Sequence, residues 1–351
     1  MAYVYRHFIP QNTAPSGVKH IGVYNSSGEK VYTIPLGRMT PITKEKLYSF
    51  GLVSDIHLYK IKTTWDGNTK FDNALTYFEN KDCLFCAHCG DITQTGLYSE
   101  GDAVNLAPEQ FEAYKEVCDK HTIPVYGLCG NHESYVNPIT NNLTELKYYT
   151  GTDLYYTITQ DDDLFIFIGQ PHGSIVMSDE ALQWLYETLE ANRNKRCFVF
   201  IHAYIEEDSG DACDVRENSI FDYWGTKKTG VFMSLLRHYK NTVLFHGHSH
   251  MKLKCQELDI NANYTVRNGF KSVHVPSSAT PRDVDTDNMV SVNDNYASEG
   301  YVVDVYDNCI VLNGWDFINS EYIPLGVYKI DTTLQNIEAG TFTDSTGTII
   351  T

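Results

Sequence analysis

The sequence has no apolar stretch long enough to cross a bilayer. Its opening residues, Met1-Ala2-Tyr3-Val4-Tyr5-Arg6-His7, hold no apolar core of the kind a secretory leader needs. These absences predict a protein made and kept in the cytoplasm, with no membrane partner. Positive charge is also scarce: 27 Lys plus Arg stand against 45 Asp plus Glu, a net charge of −18. A surface that acidic repels polyanions at long range, which argues against a protein that grips extended nucleic acid through a basic track. A disulfide framework is missing as well. Nine cysteines, an odd number, are scattered over 351 residues, so reduced thiols are expected. Cys83, Cys86 and Cys89 are close enough to suggest a cluster. They lie in a strand-like run, however, and a period of two would put Cys83 and Cys89 on one face and Cys86 on the other, so core packing is the reading adopted.

What is present is an alternation of strands and helices from residue 47 to 318, the pattern of an α/β domain. Pro108 to Lys120 reads as a helix with Phe111, Tyr114 and Cys118 on one stripe. Ser178 can cap a second helix that carries Asp179 and Glu180 in its first turn and turns Leu182, Leu185 and Leu189 inward. A third helix is expected over Val231 to Tyr239, and a hairpin over Tyr301–Tyr306 and Cys309–Leu312. Residues 1–46 read as a β-rich appendage, with a hairpin between Ile21-Gly22-Val23-Tyr24 and Val31-Tyr32-Thr33-Ile34. Residues 319–351 read as a β-prone tail.

Five short segments carry chemistry: Asp55-Ile56-His57, Gly90-Asp91, Gly130-Asn131-His132-Glu133, His202 and Gly247-His248-Ser249-His250. Each follows an apolar, strand-like run, such as Phe198-Val199-Phe200-Ile201 before His202. Carboxylate, amide and imidazole ligands delivered from the ends of several strands describe a site for two metal ions side by side. Two cations about 3.5–4 Å apart repel, so an anionic group is needed between them. Gly90, Gly130 and Gly247 supply the tight backbone where a strand hands over a ligand.

In this order and with these spacings, the motifs resemble those of the calcineurin-like metallophosphoesterases over residues 47–318. The resemblance implies a four-layer α/β/β/α sandwich of two mixed sheets flanked by helices, with small β-rich N- and C-terminal appendages. It also implies that Asp55, His57 and His250 hold one ion, that Asp91 bridges, and that Asn131, His202 and His248 hold the second. His132 would face the substrate phosphate as the catalytic side chain. The expected cofactors are two divalent or trivalent ions, manganese, iron or zinc, since the donor set suits all three. The expected reaction is hydrolysis of a small phosphoester, a diester rather than a monoester, by a hydroxide shared between the ions. Gln94 stands where the purple-acid-phosphatase branch has a tyrosine ligand, and the Asn-His-Glu form is closer to the phosphodiesterase branches.

Weaker readings attach to other residues. His246 could support the site, Glu133 could orient His132, and Tyr204 could border the substrate pocket; His88 and His172 read as packing or loop residues. A second reading from another class is a structural or interaction protein, associated with a phage particle, that carries the catalytic fold as a module. Its appendages would then mediate homo-oligomerisation or attachment.

Overall fold

The computed structural model describes residues 20–24, 30–35, 45–58, 67–94, 107–134, 147, 150–169, 177–205, 220–257, 263–266, 269–285, 290–340, 342–343 and 349–350. In chain order the strands are β1 (His20–Tyr24), β2 (Lys30–Pro35), β3 (Tyr48–Val53), β4 (Cys86–His88), β5 (Val125–Gly127), β6 (Tyr155–Gln160), β7 (Asp163–Ile168), β8 (Cys197–Phe200) and β9 (Thr242–His246). They continue with β10 (Tyr264–Thr265), β11 (Lys271–His274), β12 (Arg282–Asp285), β13 (Val290–Asn293), β14 (Glu299–Val305), β15 (Cys309–Asp316), β16 (Glu321–Asp331), β17 (Phe342–Thr343) and β18 (Ile349–Ile350). The helices are α1 (Gly67–Asn80), α2 (Ala107–Cys118), α3 (Asp179–Ala191) and α4 (Ile220–His238).

Two six-stranded mixed sheets carry the molecule, in the orders β10-β11-β9-β8-β7-β6 and β16-β15-β14-β3-β4-β5. Between them lies an aromatic core that draws Phe50 and Phe85 from one sheet and Phe165, Phe167, Phe198, Phe200 and Phe245 from the other. Phe50 meets Phe165 edge to face at 5.3 Å and stacks on Phe85 at the same separation, geometries that add to simple area burial. The outer face of the first sheet packs on α3 and α4, and that of the second on α1 and α2. This is the four-layer arrangement that the motifs implied.

Local chemistry explains the helices. Ser178 caps α3, its hydroxyl accepting the Ala181 N–H at 3.0 Å, and Leu182, Leu185 and Leu189 are buried. α1 was not anticipated, although Phe71, Ala74, Leu75 and Phe78 form its buried stripe. α4 starts eleven residues before the expected Val231. The run around Cys86 is a strand for three residues only, and Cys83 sits in the turn after α1. Cys83 therefore packs with Cys86 on the helix side, while Cys89 enters the core between the sheets, which reverses the pairing of faces that an extended strand predicts. All described cysteines are free.

The termini are β-rich. β1 and β2 pair as the expected hairpin, and β17 pairs with β18. The first part of the tail, β16, is the edge strand of the second sheet, paired with β15 from Cys309↔Asp331 to Asp316↔Glu321. Beyond it the chain crosses the helices of the other layer. Asn241 Nδ2 donates to the Gln335 carbonyl at 2.8 Å, and the Tyr186 hydroxyl to that of Gly340 at 2.9 Å. No helix among the described residues is long and apolar enough to span a membrane.

Topology aims the site. β3, β4 and β5 are mutually parallel, as are β7, β8, β9 and β11, so the loops after β3, β4, β5, β8 and β9 leave carboxyl ends of parallel strands. A buried clasp at the other end ties the sheets together: Arg196 donates to Asp163 and to the Tyr306 carbonyl, and the Tyr48 hydroxyl donates to Asp163 at 2.5 Å.

Candidate metal centre

The loops after those five strands bring all seven candidate ligands together. Asp55, His57, Asp91 and His250 form one group of donor atoms, and Asp91, His202 and His248 a second, with Asp91 common to both. In the first group His250 Nε2 lies 3.0 Å from Asp55 Oδ1 and 3.1 Å from His57 Nε2. In the second, His202 Nε2 lies 2.8 Å from Asn131 Oδ1, 3.1 Å from Asp91 Oδ2 and 3.1 Å from His248 Nδ1. Every one of these side chains is buried.

Hydrogen-bond logic shows what the cluster is built to hold. His57 Nδ1 is 3.2 Å from the Thr93 carbonyl, His202 Nδ1 2.8 Å from that of Cys89, and His250 Nδ1 3.1 Å from that of Thr280. A carbonyl only accepts, so each Nδ1 carries the hydrogen, and each neutral ring turns a bare Nε2 lone pair into the centre. There the lone pairs meet one another and two carboxylates. While those imidazoles are neutral, Asp55 Oδ1 and Asp91 Oδ2 have no hydrogen-bond donor among the described residues. A buried set of acceptors facing acceptors is unfavourable unless cations or protons stand between them. Nitrogen and oxygen donors without sulfur fit divalent manganese, iron or zinc.

Before any cation binds, one proton fills part of that role. Burial alone would push His202 down, but Asp91 beside it, hydrogen-bonded to its ring, raises it to about 9. Burial would likewise raise Asp91, yet His202 and His132 hold it below the usual carboxylate range. Burial drives His57 well down and His248 to about 3. Metal uptake must then expel the His202 proton. Apparent affinity is expected to climb from pH 6 to about 9 and then level off, with about one proton released per chain at pH 7. Calorimetry in buffers of differing ionisation enthalpy checks this; affinity independent of pH over that window contradicts it. The same raised value helps the metal-free fold below pH 6.5, a contribution lost as pH rises through 9.

Backbone strain marks the same loops. Asp55, His57, Asp91, His248 and His250 all have positive φ, from 40° to 71°. Such conformations cost on the order of 1–3 kcal/mol each and persist where the surroundings enforce them. Of Gly90, Gly130 and Gly247, only Gly90 is left-handed (φ 99°). Gly130 is needed for close approach, since a Cβ there would lie 2.1 Å from Asp91 Oδ1, and at Gly247 one would lie 1.9 Å from Ser54 Oγ.

His132 stands apart. Its side chain is 20 % exposed, whereas that of Asp91 is 1 %. Its ring lies edge-on to His57 at 4.6 Å, its Nε2 is 3.8 Å from Asp91 Oδ2, and its backbone N–H donates to Asp91 Oδ1 at 2.9 Å. Glu133 acts on the loops. Its carboxylate accepts the Thr93 N–H at 2.7 Å, the Thr93 hydroxyl at 3.0 Å and the Gly130 N–H at 2.7 Å, joining the loop of Asp91 to that of Asn131. Burial and the neighbouring Asp91 push it up to about 7. Tyr204 lies under the His248 ring, His88 Nδ1 accepts the Gly90 N–H at 3.3 Å, and His246 lies against His274, 5.8 Å between ring centroids. His172 falls outside the described residues. Sequence reading missed Thr93 and Thr280, which orient ligands through groups that any residue or any hydroxyl could offer.

A family model described as calcineurin-like phosphoesterase matches residues 48–252. The solved structure of a dimetal phosphatase from Danio rerio aligns at a TM-score of 0.56 and 13 % identity, covering 82 % of this chain and 100 % of that one. Yfce, a phosphoesterase from E. coli, aligns at 0.36 and 11 % identity over 81 % of this chain and 100 % of its own. The first of these likenesses shows the fold. No curated protein matches the chain.

Proposed function

The chain belongs to the calcineurin-like phosphoesterases, metal-dependent hydrolases, and within them we propose an enzyme that cleaves a small phosphodiester in preference to a monoester. The observation that carries this reading is the buried cluster of facing lone pairs with one partly exposed histidine beside it. Bound in that cluster, two divalent ions would neutralise phosphoryl oxygens and acidify water. Asp55, His57 and His250 would hold one ion and Asn131, His202 and His248 the other, with Asp91 shared. His132 would hydrogen-bond the phosphoryl group through its neutral ring. Burial keeps His132 below its ordinary value, hence uncharged at neutral pH, which suits a singly charged diester better than a doubly charged monoester. The net charge of −18 favours a small substrate over a long polyanion.

The test is a panel run with metal-reconstituted protein: chromogenic diester against monoester, and cyclic against linear nucleotides. A kcat/KM at least about tenfold higher for diesters, roughly 1.4 kcal/mol in the transition state, is expected. The reverse order would overturn the diester assignment.

A further inference from the structure

Beyond residue 252, where the family match ends, a buried turn touches two of the candidate ligands at once. Ser277 donates its hydroxyl to the Asp55 carbonyl at 2.8 Å and accepts the N–H of Thr280 at 2.9 Å and of Ala279 at 3.2 Å. Thr280 presents its hydroxyl to His250 Nδ1 at 2.9 Å and its carbonyl at 3.1 Å. The Ser278 N–H donates to the Ser54 carbonyl at 2.9 Å. From the other side Lys70 of α1, itself buried, donates to the Ala279 carbonyl at 2.6 Å and to that of Ala297 at 2.8 Å. Ser277, Ala279 and Thr280 are all buried.

We infer that the turn 277–280 is a positioning element for one half of the metal centre: it fixes the hydrogen on His250 Nδ1, aims Nε2 at Asp55, and pins the left-handed backbone of Asp55. This inference rests on the metal-binding reading above. The turn's hydrogen bonds are one-sided: Thr280 reaches His250, whereas His202 Nδ1 is held by Cys89. Asp55 is the one link to the other half, its Oδ2 accepting the His248 N–H at 3.0 Å. Loss of the turn's contacts should therefore weaken one ion and spare the other. A merely structural turn would weaken both together or neither.

The experiment compares the full chain with Thr280→Val, Thr280→Ser and Ser277→Ala by calorimetric titration with Mn²⁺ and Zn²⁺. Thr280→Val and Ser277→Ala should lower affinity at one of two sites by roughly 10–100-fold, the usual effect of losing a group that orients a metal ligand. The other site should stay within about twofold, and Thr280→Ser should restore wild-type binding. Equal loss at both sites, no loss, or a Thr280→Ser variant as weak as Thr280→Val would each overturn the inference. A ¹⁵N NMR reading of His250 in metal-free protein separates the two claims. Wild-type His250 should show the Nδ1–H tautomer, and the Nε2–H tautomer would sink the role of the turn whatever the metals do. Wild-type protein that takes up no metal would sink the hydrolase reading instead.

Discussion

Asp91→Asn should leave a folded protein that retains at most one metal ion and hydrolyses phosphoesters at least about a thousandfold more slowly. Asp91 is the one residue common to both ligand groups. Its Oδ2 is 3.1 Å from His202 Nε2 and 3.8 Å from His57 Nε2, and its Oδ1 holds the His132 N–H. The amide keeps the shape and removes the charge. One unit charge interacting with another at 4 Å is worth about 4 kcal/mol in a protein-like dielectric, close to three powers of ten, and Asp91 would face two cations. Without metal the fold should be weaker at neutral pH, because the His202 proton loses the buried carboxylate that holds it. Metal analysis, steady-state rates and a melting curve read all three. Two ions retained per chain would show that Asp91 does not bridge.

The second large effect is on turnover alone. His132→Ala should lower kcat roughly 10²–10⁴-fold, the range for removing a group that holds a proton in the transition state, while both ions remain. His132 is the most exposed of the site histidines, and its ring faces His57 without being one of the grouped donors. An Ala there opens space at the mouth of the site and leaves each Nε2 lone pair where it was. If the variant loses both metals, His132 is a ligand; if its rate is unchanged, it does not meet the substrate.

Much of this centre was legible because its chemistry is local in sequence. A ligand at a strand end needs an apolar run, a short turn and a polar side chain, and residues 50–57, 85–91 and 243–250 each print all three within eight or so positions. The cap of α3 was legible for the same reason: Ser178, two acids and a leucine stripe lie in one window. The groups that orient the ligands were not. Thr280 is 30 residues from His250, and Ser277 is 222 from Asp55, so only the packed sheets bring them together. Sequence also hid α1, where Gly67, Asn68, Thr69, Asn73 and Thr76 depress helix propensity and burial of Phe71 and Phe78 overrides it. β16 was masked by Pro324, which in a central strand would break the ladder. It is accommodated here because β16 is an edge strand and its register jumps where β15 passes from Asn313 to Gly314. The positive φ values at five candidate ligands left no trace, since Asp and His occupy a region where sequence would suggest glycine.

The most direct measurement is a titration of chelator-treated wild-type protein with Mn²⁺, followed by calorimetry and, in the same sample, by hydrolysis of a chromogenic phosphodiester. Two equivalents bound per chain, with activity appearing as the second is taken up, is the expected result. Saturation at no metal, or full hydrolysis in the presence of excess chelator, would mean that the lone-pair cluster around Asp91 is not a dinuclear hydrolytic centre.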